Sequence, residues 1–212
     1  DAAPAPKSGL SGGRIVAGRI SGIVLPRVLV TIRLDDRVDM APIIARWQEN
    51  SDLLVAGSGA LLHGLLDAVV DGHFETIQAL DTEVEELEDE LFAQQRTGQR
   101  FVQRVYRFRK DLVTLRRIVL PMREVVNAIL RHRGRDGSNL DHWYDDLYDH
   151  VLRASEWTES LRDMATTVFE TNLSLQDSRL NIVMKKLAGW AAIIAVPTAI
   201  TGWFGQNVPY PG

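Results

Sequence analysis

The chain has 212 residues, 45% hydrophobic and 25% charged, with a formal net charge of -4. These values match a folded domain and exclude a collagen-like or wholly disordered chain. The balance of 28 acids against 24 bases argues against a nucleic-acid binder, and the lack of cysteine excludes a disulfide scaffold and a cysteine-ligated zinc site.

Residues 1–22, rich in Gly, Ala, Pro and Ser without a sustained period, read as a linker. They lack the apolar core that a signal peptide needs after a basic start. Ile23 to Leu34 is the good strand candidate, with Val28, Leu29, Val30, Thr31 and Ile32 favouring β structure. A lone strand is not stable. Its partner strands are therefore expected to be missing from this chain, or it pairs with another molecule.

From Met40 onward the helical signal dominates. Met40 to Trp47 reads as a short helix and Ser58 to Phe92 as a long one. The first half of the long helix is apolar. Its second half carries Asp81, Glu83, Glu85, Glu86, Glu88, Asp89 and Glu90. Leu80, Val84, Leu87 and Leu91 recur at four, three and four, which is a coiled-coil seam. Thr97-Gly98 breaks the pattern, and Phe101 to Arg133 forms a second long helix studded with arginine. An acidic and a basic helix joined by a short turn predict an antiparallel hairpin with matched charge faces. Pro121 is expected to kink the second helix.

After a turn at Gly134 to Ser138, the run from Leu140 to Phe204 has no interruption before Gly189 and Pro197. At about 1.5 Å per residue it would be on the order of 100 Å long. That length demands a coiled coil, a membrane helix, or one running into the other. Leu187 to Phe204 is 18 residues without a charge, at the lower end of what spans a bilayer. Lys185 and Lys186 precede it, which puts that end in the cytoplasm, and Trp190 and Trp203 lie near its ends as interfacial aromatics do. The competing reading is a core helix of a soluble protein. Asn181, Met184, Ala188, Ala191, Ala195, Thr198 and Gly202 form one narrow stripe of small or mildly polar residues. Such a stripe either lets helices approach closely or lines a water-filled lumen between copies.

Near the start of this run, Asp141, Asp145 and Asp149 recur at four, as do His142, Asp146 and His150. Acids favour a helix N-terminus, so a solvated first turn explains much of this face. A zinc site from His142 and His150 is disfavoured by their two-turn spacing. The chain carries no P-loop, nucleophile elbow, metal-hydrolase pair or dinucleotide fingerprint, so no enzyme is expected.

Five stretches in order carry a resemblance to the CorA-type magnesium channel family. They are LLHGLLDAVVDGHFETIQALDTEVEELEDELF, LRRIVLPMREVVNAIL, DDLYDHVLRASEWTESLRDM, NIVMKKL, and Gly205-Gln206-Asn207 after the apolar segment. Together they cover roughly Val28 to Gly212. Gln206 stands where the family signature has methionine. The second membrane helix is absent, and the family's N-terminal α/β domain is represented by one strand.

The resemblance implies a mainly α homopentameric funnel. Its parts would be a remnant of the α/β cytoplasmic domain (23–57), a helical hairpin (58–139), a coiled-coil stalk (140–186), a first transmembrane helix (187–204) and an outer signature loop (205–212). It implies a passive channel for magnesium, with cobalt as a second cargo, in the cell's inner or plasma membrane, the N-terminal body being cytoplasmic. Lipid and copies of the chain would be its partners, and nucleic acid would not. Asn181, Thr198, Gly202, Gly205, Gln206 and Asn207 would line the pore or its mouth, with Met184 and Leu187 as an apolar constriction. Asp146 and Asp67 would bind regulatory magnesium between subunits, and Glu170 is a weaker candidate facing the lumen. A zinc transporter of the same family and a non-conducting coiled-coil scaffold are the alternatives.

Overall fold

The computed structural model describes residues 15–49, 51–93, 98–133 and 140–205. It divides into two compact units, Asp1–Thr166 and Thr167–Gly212.

The first unit opens on an antiparallel hairpin of β1 (Ile20–Leu25) and β2 (Val28–Arg33), in register from Ile20 opposite Arg33 to Leu25 opposite Val28. The sequence reading placed one strand over Ile23 to Leu34 and assigned residues up to Gly22 to a linker. The structure corrects both. The strand's partner is the segment just upstream, which folds back across Pro26-Arg27. Proline has no N–H for a ladder, so it ends a strand and turns the chain instead of lying inside one.

Helix α1 (Ala41–Glu49) follows. Asp39 Oδ1 accepts the Ala41 N–H at 2.9 Å and caps its start, and Pro42 sits in the first turn where no N–H is missed. A 3₁₀ turn (Ser51–Ala56) leads to Gly57, whose φ of 74° is open to glycine at little cost. Helices α2 (Ser58–Phe92), α3 (Gln99–Arg133) and α4 (Asp141–Gly205) then make up the rest. α3 continues unbroken through Pro121.

The unit is held by three interlocked seams. On α2, Val70, Ile77, Leu80, Val84, Leu87 and Leu91 are buried. On α3 the buried series is Phe101, Val105, Phe108, Leu112, Leu115, Val119, Met122 and Val126. Within the first unit α4 contributes Tyr144, Leu147, Val151, Ala154, Thr158, Leu161 and Ala165. Each series steps by four and three, or by seven where one step is skipped, which keeps an apolar edge aligned with its neighbours along a supercoiled bundle. One end of the core joins Leu66 and Val70 of α2, Met122 and Val126 of α3, and Tyr144, Leu147 and Val151 of α4. Charge clasps the flanks. Arg104 of α3 reaches Glu86 at 3.1 Å and Glu90 at 2.6 Å on α2, while Arg116 turns to Glu159 of α4 at 2.7 Å. The expected match of acidic and basic faces is thus a clasp at Arg104, and part of α3's charge serves the third helix.

The skipped step on α2 is His73, between Val70 and Ile77. Burial lowers its pKa from 6.5 to about 4.

In the second unit α4 carries Thr167 to Gly205, and every residue from Gln176 to Gly205 is exposed.

Two expectations follow. Leu80→Ala, at a fully buried seam position, should cost roughly 2–5 kcal/mol in a denaturant titration, whereas Val113→Ala, half-exposed on α3, should stay within about 0.5 kcal/mol. His73 is neutral in the native bundle, but the unfolded chain protonates it near its ordinary value. Stability should therefore fall as pH drops from about 6.5 towards 4, by up to about 3 kcal/mol, and His73→Leu should flatten that slope.

Candidate cation path and regulatory carboxylates

The terminal part of α4 is the one helix among the described residues long and apolar enough to cross a membrane. Its most apolar window has a mean hydropathy of 1.5, with none of it buried. That exposure speaks against the core-helix reading, because a soluble core would cover Leu187, Trp190, Ile193 and Ile194, each more than 60% exposed. Lys185 and Lys186 mark the charged end.

Asn181, Met184 and Leu187 all lie exposed on this helix, as do Thr198 and Gly202 further along. A Cβ added at Gly202 would meet nothing within 4 Å. The Thr198 hydroxyl donates to the Ile194 carbonyl at 2.8 Å, and the Thr201 hydroxyl to the Pro197 carbonyl at 3.0 Å. Their protons are spent inside the helix, so what Thr198 offers outward is an acceptor oxygen. Gly205 is the last residue of α4, and Gln206 and Asn207 lie outside the described residues. Glu170 is exposed on α4.

The two regulatory candidates differ in setting. Asp146 is exposed on α4. Asp67 on α2 is half-buried and already engaged: Arg46 Nη1 of α1 donates to its Oδ2 at 2.8 Å, while Nη2 donates to Asp71 Oδ2 at 2.6 Å. Burial raises the Asp67 pKa above its ordinary value, opposed by Arg46, assisted by Asp71 and opposed by His63 and His150. Among the described residues no group of three or more His, Cys, Asp or Glu side chains is gathered as a metal would require.

The histidines near Asp67 have structural work. His63 is buried; its Nε2 lies 3.0 Å from the Trp143 carbonyl, which puts the proton on that nitrogen, and its ring meets Tyr144 edge-on at 5.3 Å. His150 meets Phe74 edge-on at 6.3 Å. The acid and histidine ladders at the start of α4 are therefore a helix face, with His150 turned to an aromatic partner.

Beside the Arg46–Asp67 pair lies a cavity of about 110 Å³, bordered by Trp47, His63, Gly64 and Trp143. Trp47 Nε1 donates to the Leu61 carbonyl at 3.1 Å, and the indole lies directly over Gly64, where an added Cβ would come within 2.7 Å of it. Sequence reasoning missed Arg46, Trp47 and His63. The one available signal was the spacing of four between Asp67 and Asp71, which puts both carboxylates on one face of α2.

The last helix of the bundle thus continues, after a lysine pair, into a segment long and apolar enough to cross a membrane. The family model for the CorA-like Mg2+ transporter protein matches residues 8–212, and the chain belongs to that family. It is 32% identical over 155 residues to the cobalt/magnesium transport protein CorA of Thermotoga maritima, covering 71% of this chain and 42% of that protein. It is 29% identical over 159 residues to the protein of the same name from Methanocaldococcus jannaschii, covering 73% and 48%. Against YfjQ of Bacillus subtilis the identity is 28% over 193 residues, covering 87% and 57%. The chain spans about half the length of the curated relatives it matches.

Gly64→Ala should push Trp47 off α2 and break its bond to Leu61. A loss of about 1–3 kcal/mol in denaturant stability is expected, with faster amide exchange across 41–49.

Proposed function

We propose that the whole protein is a passive channel for divalent cations, with magnesium the main cargo and cobalt a second, and that it is not an enzyme. In this reading copies of the chain, five in number, surround a central pore in the cell's inner or plasma membrane, and the N-terminal body is cytoplasmic. Residues 140–186 act as the stalk, 187–204 as the pore helix and 205–212 as the outer mouth.

The observation that carries the reading is the unbroken exposure of α4 from Gln176 to Gly205, on a chain of this family. Its uncharged, mostly apolar part, 187–205, needs lipid on one side. The stripe holding Asn181, Ala188, Ala191, Ala195, Thr198 and Gly202 suits a narrow wet lumen on the other. Magnesium gives up its shell water reluctantly, so the fitting ligands are neutral oxygens that bond to that water. Asn181 and Thr198 supply such oxygens along the path, and Gly205, Gln206 and Asn207 supply carboxamides and carbonyls at the mouth. Neutral groups hold the ion weakly enough to release it. Met184 and Leu187 close the path by excluding water when the helices draw together.

Regulation in this reading comes from Asp67 and Asp146, each binding divalent ions between neighbouring copies, the principal partner of Asp67 lying in the family's N-terminal domain. Ions that bridge carboxylates across subunit faces hold the ring closed, and their loss lets like charges separate it. The ion must bind the closed state more tightly for this to work. Glu170 would draw cations towards the lumen.

The test is flux. The whole protein in liposomes should admit magnesium, and Asn207→Ala should cut that uptake by tenfold or more. Equal uptake by both proteins would remove Asn207 from the path, and a liposome that admits no divalent cation at all would leave a membrane-anchored scaffold.

A further inference from the structure

The carboxylate named above as regulatory is not vacant, because a cation from the same chain already holds it. We propose that Arg46 is the resident cation of the Asp67–Asp71 pair, and that a divalent ion binds Asp67 only by displacing it, so that ion binding and the docking of α1 on α2 exclude one another. The proposal rests on the reading of Asp67 as a regulatory ligand.

Three observations carry it. First, one guanidinium forks across two carboxylates spaced by one helical turn, at 2.8 Å to Asp67 and 2.6 Å to Asp71. This fixed planar geometry is what arginine does best. Second, Arg46 Nη1 sits on Oδ2 of the carboxylate that a hard cation would need. A divalent ion and a guanidinium on one half-buried carboxylate would set three positive charges against one or two negative ones at contact distance, and the repulsion is strong away from bulk water. Third, the cavity of about 110 Å³ beside the pair, bordered by Asp67, His63, Trp47 and Trp143, gives an ion and part of its shell water a place to enter once Arg46 withdraws.

The consequence falls on α1. That helix has nine residues, and its anchors on the bundle are Ile43, the Trp47 bond to Leu61, and Arg46. Removing Arg46 from α2 takes away its charged anchor. Two cations competing for one carboxylate lower each other's occupancy by the same factor. Rising magnesium should therefore loosen α1, and a docked α1 should weaken magnesium binding. Arg46 thereby sets the concentration at which the site fills.

The experiment uses the whole protein in detergent, with magnesium chloride as the probe. Magnesium binding is measured by calorimetry on wild type, Arg46→Gln, Asp67→Asn and the double variant, and hydrogen exchange over 41–49 is followed with and without the ion. Arg46→Gln should tighten the Asp67-dependent binding roughly tenfold. Arg46→Lys, which keeps the charge and loses the fork, should fall between the two. In wild type, exchange over 41–49 should quicken as magnesium is added, a readout that needs no variant. If Arg46→Gln binds magnesium as wild type does or more weakly, while Asp67→Asn still reduces binding, Arg46 is a structural clamp alone and the proposal is overturned, with the regulatory role of Asp67 intact. If Asp67→Asn leaves binding unchanged, Asp67 is no ligand, and the regulatory reading falls together with the proposal.

Discussion

The structure depends on one constraint: three long helices, each polar on most of its circumference, must bury the same narrow edge. Helices of this charge content gain little from their own backbone bonds in water, so their stability has to come from packing. The steps of four and three on α2, α3 and α4 meet that demand without interruption over most of the bundle. Even the polar residues admitted to the α4 edge are satisfied locally. The Thr158 hydroxyl donates to the Ala154 carbonyl at 2.7 Å and the Ser155 hydroxyl to the Val151 carbonyl at 2.9 Å, so neither leaves a buried donor unpaired.

Charge then decides what sits beside the bundle. Arg46 brings α1 to α2, and Arg104 ties α3 to the acidic end of α2. Both arginines reach two carboxylates one turn apart, a geometry that a helix presents automatically and a forked guanidinium exploits. The aromatic residues complete the docking. Trp47 fits because Gly64 has no side chain, and Tyr144 donates its hydroxyl to the Gly59 carbonyl at 2.9 Å.

Helix α4 changes character along its length while its backbone does not. Up to Ala165 it presents a seam; beyond Lys186 it carries no charge and is mostly apolar, and no part of its apolar window is buried. Such a surface is unfavourable in water and ordinary in hydrocarbon. Membership of the CorA-like family agrees with the second environment.

The amino-acid order alone determined the helical periods, the seam at Leu80, Val84, Leu87 and Leu91, the uncharged terminal segment and the family, because each is local or repeats at a fixed spacing. It misjudged the hairpin, since an apolar run reads as one strand unless the proline within it is taken as a fold-back point. The partner of Asp67 was decided by tertiary structure. Arg46 stands 21 residues away in a separate helix, and no spacing rule links the two. Packing brings them together: Ile43 and Trp47 set α1 against α2, and only then does the guanidinium fall within reach of both carboxylates.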